Sequence, residues 1–267
     1  DAVKSKDKDT VRALLKEDVD VNSPRGDGTT ALHWAAHWND LATADLLMGA
    51  GAEVNVETDL GVTPLYLAAE IGSSVMTRKL LSAGADPNVA SETGVSPLML
   101  AARGGSTGSV EALLSHGADV NSSEQSSGQT ALMWAVAQGQ SEVVRVLVEH
   151  GTDVHLRTNT SRKLVNRGGT STYEDFTNVE YVKTGGSTAL LFAAGRGSIE
   201  SARYLLEFGA NVNDTAADSN SALVLAAHSG QGAFAEFLLD RGADPNANGT
   251  GYTALHAAVL RGDLDLV

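Results

Sequence analysis

The chain has 267 residues, a formal charge of −14, 42% apolar but only 5% aromatic residues, 28 glycines and no cysteine. That charge argues against a DNA or RNA binder, which needs a basic stripe to displace condensed counterions, and against an anionic membrane surface as partner. Without cysteine there is no disulfide, thiolate metal site or cysteine nucleophile, and no run of 18 apolar residues is present to cross a membrane.

The opening residues, 1–24, read as the latter part of a unit that recurs further on. Leu14–Leu15 fall in a helix, Asn22 closes the segment, and Lys6 and Asp18 stand where later units carry glycine. Their Lys- and Asp-rich content suits a polar N-terminal cap. From residue 25 the repetition is explicit. The segments GTTALHWAAHWND, GVTPLYLAAEIGS, GVSPLMLAARGGS, GQTALMWAVAQGQ, GSTALLFAAGRGS, NSALVLAAHSGQ and GYTALHAAVLRGD align without gaps. The residue after their hydroxyl is Ala31, Pro64, Pro97, Ala131, Ala189, Ala222 and Ala254, at steps of 33, 33, 34, 58, 33 and 32. A second marker (Gly51, Gly84, Gly117, Gly151, Gly209, Gly242) keeps the same period and shows the same single anomaly. A period in this range signals stacked repeats.

Each unit has a physical reading. The Thr or Ser (Thr30, Thr63, Ser96, Thr130, Thr188, Ser221, Thr253) is a natural N-cap, and Pro64 and Pro97 fit the first helical turn, where a missing N–H costs nothing. Leu65 and Ala68–Ala69 share one helical face. A glycine then breaks the chain, and a second helix, such as Val143–His150, ends at a glycine suited to the left-handed C-cap. Trp34 and Trp134 occupy one repeat position, read as packing between neighbouring first helices. This divides the chain into four repeats over 25–155, two over 186–247 and a truncated last one over 248–267. The end leaves Leu264, Leu266 and Val267 without a successor, so a continuing chain or a fraying end is expected. The 58-residue step adds 25 residues near 156–185, expected as an inserted loop or extended hairpin, with Val179, Tyr181 and Val182 favouring a strand. Its five cations against three carboxylates give +2 locally and leave −16 on the remainder.

These motifs resemble the ankyrin repeat: a TPLH-like helix start, a glycine between helices, then LLxxGAdvN. The resemblance covers all but residues near 156–184. It implies an all-α ankyrin-repeat solenoid of stacked helix-turn-helix units with β-hairpin fingers, about six full and two partial repeats in a single domain. The His of TPLH survives only at His33 and His256. Tyr66, Met99, Met133, Leu191 and Val224 replace it, so weaker or different hairpin bonding is expected in the middle repeats.

What the resemblance implies for function is a non-enzymatic protein–protein interaction module. Its partner would lie on the concave groove and hairpin fingers. The alternative is a regulatory or scaffolding segment of a larger protein whose catalytic domain lies outside this chain. Register then nominates the partner-binding residues. Asp27, Thr29, Leu60, Val62, Val95 and Gln129 come from the fingers. His37, Trp38, Glu70, Ile71, Arg103, Gln138 and Arg196 come from the ends of the first helices. Arg162, Lys163 and Arg167 come from the insertion, if it is a recognition finger rather than a tolerated surface loop or a basic loop folded back over its acidic host. No metal, cofactor or catalytic residue is expected. His33 and His37 lie four apart, but the repeat already accounts for His33 and no third ligand follows; the glycine clusters lack the order of a phosphate loop. The chain is expected to act as a monomer on a protein partner.

Overall fold

A computed structural model describes residues 2–17, 19–166, 179–249, 251–263 and 266–267. Its contacts fall into two compact units, residues 1–125 with 130–152, and residues 126–129 with 153–267.

In the first unit a lone helix, α1 (Lys8–Lys16), precedes four helix pairs. These are α2 (Ala31–His37) with α3 (Leu41–Gly49), α4 (Pro64–Glu70) with α5 (Ser74–Ser82), α6 (Pro97–Gly104) with α7 (Thr107–Ser115), and α8 (Ala131–Gln138) with α9 (Ser141–Glu149). The first helices pack in series, α2 on α4 on α6 on α8, and a second row includes α1 on α3 and α5 on α7 on α9. The second unit repeats the plan with α10 (Ala189–Arg196) and α11 (Ile199–Glu207), α12 (Ala222–His228) and α13 (Gly232–Asp240), and α14 (Ala254–Arg261). It also carries an antiparallel hairpin, β1 (Thr160–Asn166) and β2 (Val179–Gly185).

Every first helix begins at the Ala or Pro marker read from the sequence, behind its Thr or Ser. Thr63, Ser96, Thr130 and Ser221 each accept a hydrogen bond from the backbone N–H three residues on. The stacking surface is built from small residues: Ala35–Ala36, Ala68–Ala69, Ala101–Ala102, Ala193–Ala194 and Ala226–Ala227 are fully buried, as are Leu32, Leu65, Leu98, Leu132 and Leu190. Alanine lets helix axes approach closely, and the leucines fill the space behind.

The connections are bonded as regularly as the helices. Asn22 donates to the carbonyl of Gly51 (3.1 Å) and accepts from the N–H of Glu53 (2.8 Å). Asn55 and Asn88 repeat this pair with Gly84 and Asp86 and with Gly117 and Asp119, and Asn213 does so in the second unit with Gly242 and Asp244. Each asparagine therefore fastens its own repeat to the turn of the next. The fingers are tied at their tips: the N–H of Asp59, Glu92 and Gln125 donate to the carbonyls of Asp27, Leu60 and Thr93 at 3.0–3.1 Å. This pattern includes the finger pairs beside Tyr66 and Met99. At Tyr66 and Met99 the tip bonds of the fingers are thus kept without the His.

Tip-to-tip spacing is why the fingers need glycine. A Cβ on Gly28 would lie 2.9 Å from the Thr58 Cα, and Gly28, Gly61 and Gly94 all have positive φ. In the sixth full repeat Ser219 holds that position at φ 67°. A left-handed conformation strains any residue with a Cβ. Ser219→Gly is therefore expected to stabilise the protein by about 0.5–1 kcal/mol after the unfolded-state entropy of glycine is counted, as a rise in the urea midpoint.

Candidate functional site

The surface not used in stacking includes a hollow in the first unit. Two fingers and two first helices enclose an open cleft of about 570 Å³, lined by Asp27, Thr29, His33, Trp34, His37, Thr58, Asp59, Leu60, Val62 and Leu67. Five residues nominated by register, Asp27, Thr29, His37, Leu60 and Val62, are thus brought together. Leu60 projects from the second finger at 64% exposure, while Val62 is half-buried.

His33 forms the back wall and braces it. Its Nδ1 accepts from the Thr30 backbone N–H (3.1 Å), so Nε2 carries the proton and donates to the Val62 carbonyl (2.9 Å). One ring thus joins a helix start to the neighbouring finger. The residue is buried, and burial holds the imidazole below its ordinary value of 6.5 against the opposing pull of the Val62 bond and the Asp27 charge. On the rim, Asp27 accepts from the Thr29 N–H (3.0 Å), and hydrogen bonding by Thr29 lowers its carboxyl.

Aromatic rings line the first helix. His37 meets Trp34 edge-on (centroids 6.1 Å apart) and Trp38 likewise (4.6 Å). The Lys4 ammonium sits 5.0 Å from the Trp34 ring centre and that of Lys6 4.8 Å from Trp38. Trp38, the C-cap of α2, remains 41% exposed beneath that cation. Trp34 departs from the core position expected for it. It is half-buried and walls the cleft, and its Nε1 is buried without an acceptor among the described residues. Trp134 at the equivalent position is also half-buried and lies under Arg103, whose guanidinium is 5.2 Å from the ring centre. Register treated both rings as core because it reports periodicity and not which face a large ring overhangs.

The other nominated residues are distributed as follows. Glu70 and Ile71 end α4, both exposed, with Ile71 at 41%, and Val95 is half-buried on the third finger. Gln138 ends α8, exposed. In the second unit Gln129 is half-buried and Arg196 is exposed at the end of α10. Arg162 and Lys163 are exposed on β1, and Arg167 lies outside the described residues. Sequence reasoning passed over Thr58, Asp59 and Leu67, whose place in the cleft follows from finger spacing. Among the described residues no three His, Asp or Glu side chains form a metal-holding group. What the cleft offers chemically is shape, an apolar wall and an acidic rim.

Serially stacked helix pairs with hairpin fingers define a repeat scaffold. Residues 1–91, 65–158 and 162–249 match the pattern described as Ankyrin repeats (3 copies), and residues 233–267 match Ankyrin repeats (many copies). The chain belongs to the ankyrin-repeat family. Ankyrin repeats are generally protein–protein interaction modules and are typically non-catalytic. No curated protein matches the sequence.

The His33 brace has a pH signature. Because its folded pKa is depressed, the unfolded chain binds more protons at this residue as pH falls through 6.5, so stability falls there. His33→Met, the residue found at the same position in Met99 and Met133, is expected to cost about 1–2 kcal/mol at neutral pH through two lost hydrogen bonds. It should also flatten the dependence of stability on pH between about 7.5 and 5.5, compared with the unsubstituted protein by denaturant titration.

Proposed function

We propose that this chain is a non-catalytic binding module whose protein partner docks on the groove of the first unit. The apolar cleft carries the reading. Leu60, Trp38 and Ile71, at the second finger and the ends of the first two first helices, stay 64%, 41% and 41% exposed. Exposed aromatic and branched residues near a concavity, with charge around them, are the pattern of interface anchors and rim. Trp38, Leu60, Val62, Ile71 and Val95 would serve as anchors. Asp27, Thr29, His37, Glu70, Arg103 and Gln138 would frame them.

The mechanism is recognition by a preformed surface. Finger tips bonded to one another and a helix start braced by His33 leave few residues to be ordered on binding, so little affinity is lost to conformational entropy. The net charge of −14 would speed encounter with a partner that presents a basic face, more so at low salt.

Trp38→Ala combined with Ile71→Ala removes two of these anchors. The double variant is expected to bind captured partners at least about tenfold more weakly, the scale of one to two hot-spot kcal/mol. Its melting temperature should stay within a few degrees, as both sites are solvent-facing. Affinity capture with quantitative mass spectrometry reads the first outcome and calorimetry the second. A partner retained in full by the double variant would show that the groove is not where it binds.

A further inference from the structure

The insertion enters and leaves at the tip of one finger. At the base of that finger the Thr158 N–H donates to the Ser187 carbonyl (3.0 Å), and the Gly186 N–H donates to the Thr158 carbonyl (3.2 Å). Neighbouring fingers hold both sides of the base: the Asn159 N–H donates to the Ser127 carbonyl (2.7 Å) and the Ala217 N–H to the Gly185 carbonyl (2.9 Å). Beyond Thr160 the two strands run on as a two-stranded sheet, so each has one side with no strand beside it among the described residues.

One face of this arm is unusual. Arg162 pairs in register with Lys183, and Leu164 with Tyr181; residues two apart on a strand share a face, so the four lie together. Like charges directly opposite destabilise a ladder. No carboxylate pairs with Arg162, Lys163 or Lys183 among the described residues. Arg157, the insertion's other described cation, is already engaged by Asp214 (3.0 Å). Leu164 is 57% and Tyr181 69% exposed. Two facing cations beside an exposed Leu–Tyr pair, on a strand with an open edge, have no ion-pair partner among the described residues.

We infer that this arm is a second docking surface, for an extended acidic segment of a protein partner that adds as a strand along β1 or β2. A strand laid alongside would present one residue beside the Arg162–Lys183 pair and the residue two further on, about 7 Å away, beside Leu164–Tyr181. The matching motif is acidic-x-apolar. Charge complementarity selects the acid and the Leu–Tyr pair the apolar neighbour. The surface lies wholly in the second unit and stands on observations independent of the groove in the first.

The test uses the full chain and a fluorescent peptide of roughly eight residues with Glu and Val alternating on one face and Thr on the other, read by anisotropy. The expected result is saturable binding that weakens about tenfold in Arg162→Glu/Lys183→Glu, and comparably in Leu164→Ser/Tyr181→Ser. A permuted peptide of the same composition, with Glu and Val on opposite faces, should bind at least several-fold more weakly. Thermal melts of both variants check that the repeats stay folded, since the arm lies outside the stacked helices. Four outcomes would overturn the inference: no binding of the peptide; binding unchanged in both variants, which leaves the cations as edge protection only; self-association of the unsubstituted chain in sedimentation that is lost in both variants, which makes a second copy the occupant; or tighter binding of a single-stranded oligonucleotide than of the peptide, lost in both variants.

Discussion

Everything in this structure depends on the burial of one repeat by the next. A helix pair with Ala68–Ala69 or Ala101–Ala102 on its face has too little apolar bulk to make a core of its own; it acquires one only when an equivalent face arrives at close range. The 5% aromatic content fits this, because the Ala layer leaves little room for large rings between first helices. The asparagine pairs at Asn22, Asn55, Asn88 and Asn213 fix the register of that contact from the turn side, and the tip-to-tip carbonyl bonds fix it from the finger side. The Ala layer is non-directional, and the hydrogen bonds supply the direction.

Once stacking is secured in this way, the remaining surface is free to vary. The position of His33 shows the division. Where the imidazole is present it bonds a helix start and a finger at once; where Met99 or Met133 replaces it, the slot is filled by apolar volume and the finger keeps its backbone bonds. Tyr66 is an intermediate case, its phenol raised above the ordinary 10 by burial first and by the Glu70 charge next. Recognition residues at finger tips and helix ends can therefore differ from repeat to repeat without touching the scaffold.

The scaffold was legible in the sequence for the same reason that it is stable: its determinants recur. Hydroxyl N-caps, Ala pairs and glycines at fixed offsets placed the start of every first helix. The candidate site was legible only where it inherits that register, as at Asp27, Leu60 and Val62. What escaped were contacts made by long side chains reaching across the period. Lys4 and Lys6 cover Trp34 and Trp38, and Arg103 covers Trp134; no spacing rule announces such pairs, since a flexible cation selects its ring in three dimensions. Trp34 was assigned to the core for lack of that information. The paired strands of the insertion were foreshadowed by Val179, Tyr181 and Val182, but the facing of Arg162 with Lys183 needed the strand register.

One substitution in the turn series changes the character of a junction. His155 occupies the place that Asn22, Asn55, Asn88 and Asn213 hold elsewhere, and among the described residues its ring makes no equivalent bond to the following repeat. Arg157 spans that junction in its place, donating to the carbonyl of Thr215 (2.6 Å) and to the carboxylate of Asp214 (3.0 Å). Neutral amide clasps are indifferent to dissolved ions, whereas a partly exposed guanidinium–carboxylate clasp is screened by them. The turn beneath the inserted arm is thus held in part by an ion pair, and brine would weaken that clasp.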